Sequence, residues 1–514
     1  MIKLASILVM LNMFSVIADG QSYRLTSNGK NVEVLEQNTA PLSNGLSTYK
    51  YARVTYLGDP LSLEVEAEQF DFGNDDWDIS PHSYQIDGHK VGNKLSFTID
   101  RPGYLVIKFS KDPEEFKKRL VIFIEEPINV STDNEIVDII STYDIDNTGS
   151  INETVKIQRA LDDISGTDKV LYFGDGVYKT SMLQLKSNSK IHLSKEAVIK
   201  ADPKDIESYK AKKGEGMNRF IYIANAENIE VSGLGTFDGS GSEILGVTLP
   251  KAGDKRTKVR LMFILRSTNI SFDGIVLKDA ASWNTHIMGS TNISFKNCKL
   301  MNNTMNNDYF GSLDGWDPDA SQKVLIEDCF GWAGDDNVAV KCTGSGNLDI
   351  LDDVSDVTVR GCVFMTKKTS LKIGTETRCA NYRSVIFEDN DVIEADRVLG
   401  VNVRDRAVVS DIVFRNIRSE SLFPDRRQMP INVYITRRED DQAYTGKIAN
   451  VFFEDCTFEM MFPQKIQISR IESHTERTDL NVTFKNLTIA GNRVVSLDPT
   501  YFNLDKTNGI IKFQ

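Results

Sequence analysis

The sequence predicts an all-β protein, a parallel β-helix preceded by a smaller β-sandwich, and three observations carry that prediction. First, one phrase recurs: a polar residue, a short strand of alternating bulky apolar residues, then Asn, Asp or Gly. It reads NIEVSG, NISFDG, NISFKN, KVLIED, DVTVRG, SVIFED, DIVFRN, NVFFED and NVTFKN. The starts, from Asn228 through Asn269, Asn292, Lys323, Asp356, Ser384, Asp411 and Asn450 to Asn481, lie 23 to 41 residues apart. That is repeat behaviour with loops of variable length. Second, the period within the phrase is 2, which marks a strand and not a helix. A propeller would need longer, more uniform repeats. Coils that each give a strand to a face and stack about 4.8 Å apart fit best. Third, the region before about residue 128 consists of short strands punctuated by Pro and Gly.

Residues 1–18 read as a secretory signal peptide. Lys3 gives a positive start, Leu4 to Ile17 is almost wholly apolar, and small residues follow near Ala18. No Cys follows to suggest a lipoprotein anchor, and no later run is long enough to span a bilayer. The expectation is a secreted or periplasmic protein. Residues 21–128 are expected to form the sandwich, with KLSFTID, GYLVIKF and RLVIFIEE among its strands. A polar linker near 129–135 leads into residues 136–514, the expected β-helix domain. There TVKIQRALDDI predicts one short helix, with Val155, Leu161 and Ile164 as its apolar positions.

The net charge of −13 argues against nucleic acid as a partner. Cys298, Cys329, Cys362 and Cys456 occupy equivalent places in the repeated phrase, so they read as small buried residues stacked in register. No CxxC spacing points to zinc. Neither a metal nor another cofactor is expected, and the chain is expected to be a monomer.

The chemistry concentrates in SLDGWDPDASQKVLIEDCFGWAGDDNVAVK, residues 312–341. Asp314 precedes Asp335 by 21 residues, about one coil. Stacked coils would therefore bring Asp314 beside Asp335 and Asp336. Carboxyls that close cannot all ionise cheaply, so at least one pKa rises. A protonated and an ionised carboxyl side by side are what glycosidic cleavage requires. Consecutive strand residues point to opposite faces, so Asp335 and Asp336 need a turn or bulge, which Gly334 offers. The bland alternatives are a solvated GDD turn and a calcium site.

These motifs resemble glycoside hydrolase family 28, the polygalacturonase-like enzymes, over roughly residues 144–489. GLGTFDGSG (233–241) resembles an early Gly-rich coil of that family and SWNTH (282–286) its Trp-x-x-His segment. DGWDPDAS and GDDNVAVK resemble its two Asp motifs. The resemblance implies a right-handed, pectin-lyase-like β-helix and an inverting mechanism. Asp335 would be the general acid, and Asp314 and Asp336 would hold and activate the water. The departures are informative. Ser312-Leu313 replaces the family's Asn-Thr, Thr369 stands where its His belongs, and Asn402-Val403-Arg404 replaces its Arg-x-Lys. The substrate is therefore expected to be a polysaccharide other than plain homogalacturonan. Matching outward positions from coil to coil places Ala339, Lys372 and Asn402 in one column and Lys341, Gly374 and Arg404 in another. Lys372, Arg404, Asn402, Glu376, Trp316, Asp317 and His286 are the expected substrate contacts. Lys372 and Arg404 would either face an anionic sugar or balance the Asp cluster.

A sandwich ahead of a β-helix also resembles the family 49 dextranases and isopullulanases, which implies a neutral α-glucan as the alternative substrate. A polysaccharide lyase and a non-catalytic glycan-binding β-helix are two further readings.

Overall fold

The computed structural model describes residues 23–38, 48–67, 77–109, 119–131, 133–248, 258–302, 312–345, 348–422, 429–437, 446–461, 468–473, 479–504 and 509–514. The expected signal peptide, residues 1–18, lies outside these. Among the described residues no helix is long and apolar enough to cross a membrane.

The recurring phrase works through its two ends. Its first residue adopts the left-handed conformation at Asn228, Asn269, Asn292, Lys323, Asp356, Ser384, Asp411 and Asn450, with φ between 53° and 57°. Its last residue does so at Asn297, Asp328, Asp389, Asn416, Asp455 and Asn486. Asn, Asp and Gly tolerate this region best, which explains why they recur at the two ends. Between these corners the strand alternates inward and outward, and its inward positions stack from coil to coil. Ile229, Ile270, Ile293, Val324, Val357, Val385, Ile412, Val451 and Val482 form one such column. The corner asparagines stack as well. Asn269 Nδ2 donates to Asn228 Oδ1 at 3.0 Å and Asn292 Nδ2 to Asn269 Oδ1 at 2.7 Å.

Long parallel sheets of 13, 12 and 11 strands, counted over the described residues, form the three faces of a right-handed parallel β-helix. Cys298, Cys329, Cys362 and Cys456 follow the left-handed corners and are buried free thiols, as the register reading expects. The helix Thr154–Ile164 closes the N-terminal end with Ile157, Ala160, Leu161 and Ile164 buried. The predicted stripe needs one correction. Val155 is 83 % exposed, because a helical face recurs every three or four residues and Ile157 begins it.

Two five-stranded sheets between Tyr23 and Glu125 make the smaller domain. It includes the expected strands Lys94–Ile99, Gly103–Lys108 and Arg119–Glu125. Its outer face packs on the β-helix, burying Tyr49, Tyr104, Val106 and Phe123 against Met301, Phe330, Trp332 and Met365. Ion pairs run through this seam. Arg53 grips Glu125 with two nitrogens at 2.9 and 3.0 Å, and Lys299 reaches the same carboxylate at 2.6 Å. Arg119 meets Glu394 at 2.9 Å. Lys108 lies 2.7 Å from Asp78 and 3.2 Å from Glu420.

Candidate active site

On the 11-stranded face, the strands Thr285–Met288, Trp316–Asp319, Val338–Cys342, Thr369–Thr377, Arg397–Val403 and Met429–Ile435 stack in sequence. Inward positions carry Trp316, Val338, Leu371 and Leu399. Outward positions carry His286 beside Asp317, Asp319 beside Lys341, and Ala339 beside Lys372. The Asp pair lies not on a strand but in the bend between Phe330–Ala333 and Val338–Cys342. That bend resolves the conflict posed by two adjacent residues needed on one face.

Backbone hydrogen bonds lock this bend to the neighbouring coil. Gly334 and Asp335 both donate their N–H to the Leu313 carbonyl, at 3.1 and 3.2 Å, and Gly315 N donates to the Asp336 carbonyl at 2.8 Å. Gly315 is required there, since a Cβ would lie 2.4 Å from the Asn337 carbonyl oxygen. This clasp brings Asp314 beside Asp335 and Asp336.

Each carboxyl then meets a different environment. Asp336 accepts the Thr369 N–H at 3.0 Å, and Lys372 Nζ lies 2.6 Å from its other oxygen. Burial alone would raise its pKa, but Lys372, Lys341 and Arg397 outweigh that and hold it at about 2. Asp335 accepts the Asp336 N–H at 3.0 Å. Burial, with the charges of Asp314 and Asp336, pushes its pKa up to about 7. Asp314 is raised, by burial first, although the buried Lys341 ammonium pairs with it. Lys341 also lies 2.8 Å from Asp317 and 3.7 Å above the Trp283 ring.

The structure thus gathers Asp314, Asp335, Asp336, Asp317 and Lys372 at one place. Glu376, half-buried, is close enough to act on the Lys341 charge. Other expected contacts are corrected. Trp316 points inward and is fully buried beside Phe295 and Phe364, so no sugar can stack on it. His286 is also fully buried, with both ring nitrogens occupied. Arg260 Nε donates to its Nδ1 at 3.0 Å, so the proton sits on Nε2, which meets Asp319 at 2.9 Å. Burial lowers its pKa to about 4, and it stays neutral. Asn402 is buried, and Asn432 Nδ2 donates to its Oδ1 at 3.3 Å.

The expected columns are corrected too. Lys372 faces Gly400 and Gly374 faces Asn402, so Asn402 is not in the Lys372 column. Arg404 falls past the end of its strand, half-buried, with its backbone N–H on Thr377. A two-residue slip preserves the inward and outward alternation, so the period-2 pattern cannot detect it. Lys372 lies against Asp336 and so balances the Asp cluster. Sequence reasoning left Lys341 and Arg260 out of the site. For Lys341 the signal was its outward parity with Ala339, two residues earlier.

Comparisons with known proteins agree with this fold. The family model described as glycosyl hydrolases family 28 matches residues 171–496. A probable polygalacturonase of Vitis vinifera is 27 % identical over 183 residues, which is 33 % of this chain and 36 % of that protein. The chain thus spans about a third of that relative's length. Among solved structures, an exopolygalacturonase from Thermotoga maritima aligns with a TM-score of 0.56 at 18 % identity, over 72 % of this chain and 94 % of its own. Dex49A from Penicillium minioluteum aligns with a TM-score of 0.65 at 14 % identity, over 96 % of this chain and 94 % of its own.

Proposed function

The chain belongs to glycosyl hydrolase family 28, and on that premise we propose that it hydrolyses the glycosidic bonds of a polysaccharide by a single-displacement, inverting mechanism. Asp335 is the general acid that protonates the leaving oxygen. Asp314 and Asp336 hold and activate the attacking water. One observation carries the reading: adjacent carboxyls are driven in opposite directions, Asp335 to about 7 and Asp336 to about 2. At neutral pH one keeps a proton to give while the other stays charged, the division of labour that acid–base cleavage of an acetal demands. Residues 1–18 would direct the chain to export.

The lyase reading is disfavoured. Its base would be Lys372, whose ammonium is stabilised by Asp336 against the cost of burial and stays protonated. A neutral substrate of the dextran type is the second reading, because Lys341 and Lys372 are both committed to carboxylates and not to the groove. The similarity to Dex49A over nearly the whole chain is compatible with it. The deciding experiment is a screen of purified protein against pectic, α-glucan and sulfated polysaccharides, followed by product analysis. Hydrolysis gives a saturated new reducing end with inverted anomeric configuration. An unsaturated product absorbing in the near ultraviolet would mean a lyase, and binding without cleavage that survives Asp335→Asn would mean a glycan-binding module.

A further inference from the structure

We infer that Lys341 is a positioning residue that keeps a single negative charge on the paired carboxyls of Asp314 and Asp317, with Asp317 carrying the proton. The inference uses the hydrolase reading only for its consequence in catalysis. Its physical basis is the packing. Asp317 is fully buried, Asp314 is 2 % exposed and Lys341 4 % exposed. The ammonium pairs with Asp314 and lies 2.8 Å from Asp317 Oδ1, while Trp283 covers it from above. One cation sealed between two acids offsets one charge, and a second bare carboxylate in such a place is prohibitively costly.

The hydrogen-bond inventory points the same way. Asp314 Oδ1 and Asp317 Oδ2 are buried and reach no donor as carboxylates, while Lys341 holds the two carboxyl groups side by side. A proton held between them turns one orphan acceptor into a donor for the other. The pKa of Asp317 is accordingly well above the carboxylate range, with burial as the main cause.

Another cation whose charge reaches this pair, Arg260, also acts on Asp319, and the ionised Asp319 carboxylate balances it. Arg260 packs over Trp283, 4.7 Å from its centroid, and gives its Nε–H to His286. His286 is neutral and bonded to Asp319. Asp319 accepts from the Thr343 backbone at 2.8 Å and from its hydroxyl. Lys372 belongs to Asp336, and the charge of Glu376 acts on Lys341 as well. In catalysis the arrangement presents Asp314 to the water as an ionised carboxylate held in one orientation, while Asp317 stays neutral below it.

Infrared difference spectroscopy on the ligand-free protein at pH 7 tests the charge state directly. Asp317→Asn should remove intensity from the protonated-carboxyl stretching band. An unchanged band overturns the inference. Kinetics test the positioning role, using whichever of polygalacturonate, xylogalacturonan or dextran the wild type cleaves. Lys341→Met leaves the pair without its cation, so Asp314 takes up a proton. The acidic limb of kcat/KM then moves up by about one pH unit or more, kcat falls at least about tenfold, KM changes little, and Lys341→Arg restores most of the rate. A folded Lys341→Met enzyme with an unmoved acidic limb overturns the role. If the wild type cleaves none of the three, the kinetics are run on the polysaccharide that the wider screen identifies, and the infrared result decides the charge state by itself.

Discussion

Two regions of this molecule bury acids and bases together, and they do opposite things with them. In the seam between the smaller domain and the β-helix, each named carboxylate is matched by a cation: Glu125 has Arg53 and Lys299, Glu394 has Arg119, and Asp78 and Glu420 have Lys108 and His82 between them. Burial would raise the Glu125 carboxyl, yet Lys299 and Arg53 pull it down to about 2. At the candidate site, Lys341, Lys372 and Arg260 face the carboxyls of Asp314, Asp317, Asp319, Asp335 and Asp336, and protons must make up the difference. Matched buried charge fixes geometry and is inert. Deliberately unmatched buried charge stores a transferable proton.

The sharpest way to break that comparison is to remove the stored proton. Asp335→Asn should lower hydrolysis by about a thousandfold or more, within the range for losing a positioned general acid. Reducing-end release measures it. The same substitution should raise the melting temperature at pH 8. The Asp335 pKa is raised in the folded state, so its contribution is present at low pH and is lost as pH climbs from the unfolded carboxyl value through about 7. Asn cannot ionise and escapes that loss. In the wild type, kcat/KM should fall tenfold per unit above about pH 7, because the acid is then deprotonated. A profile flat to pH 9 would remove Asp335 from that role.

The seam should answer in the other currency. Arg119→Met strands Glu394, a residue only 3 % exposed, in the packed interface. Unpairing a buried ion typically costs about 3–5 kcal/mol. The melting temperature should drop well below that of the wild type, while activity per folded molecule stays within a few-fold. Loss of activity without loss of stability would mean that the seam is coupled to the groove.

The two regions also differed in how much of them could be read in advance. The coils announce themselves, because period-2 strands bracketed by left-handed Asn, Asp and Gly leave a local trace. Asp314 and Asp335 could be matched for the same reason, since one coil is a fixed turn of chain. Register beyond one coil could not, as Asn402 and Arg404 show, because a slip of two residues changes no parity. Trp316 and His286 failed for two other reasons. Trp316 begins its strand on the inward parity, which the DGWD wording hides. His286 does face outward but is covered by the nearby Trp283 and by Arg260 and Phe263, whose proximity is tertiary. The seam left no local trace, since Ser80 and Glu420 meet across 340 residues of sequence.

The smallest effect expected is at the exposed rim of the seam, and its sign separates matched from unmatched charge. His82 Nε2 lies 2.8 Å from Asp78 and its Nδ1 2.7 Å from Glu459. Hydrogen bonds to these two carboxylates, against the opposing effect of burial, raise its pKa to about 10. A raised histidine contributes fully below its unfolded value near 6.5 and loses that contribution as pH rises through about 10. The wild type should therefore lose stability gradually between pH 7 and 10, and His82→Gln should flatten that slope. The side chain is about a quarter exposed, at 27 %, so solvent screening limits the difference to about 1 kcal/mol near pH 7. Parallel slopes for the two proteins, measured by denaturant midpoint across that range, would mean that His82 is not charged in the fold. The rim would then store a proton deficit of its own and no longer count as matched.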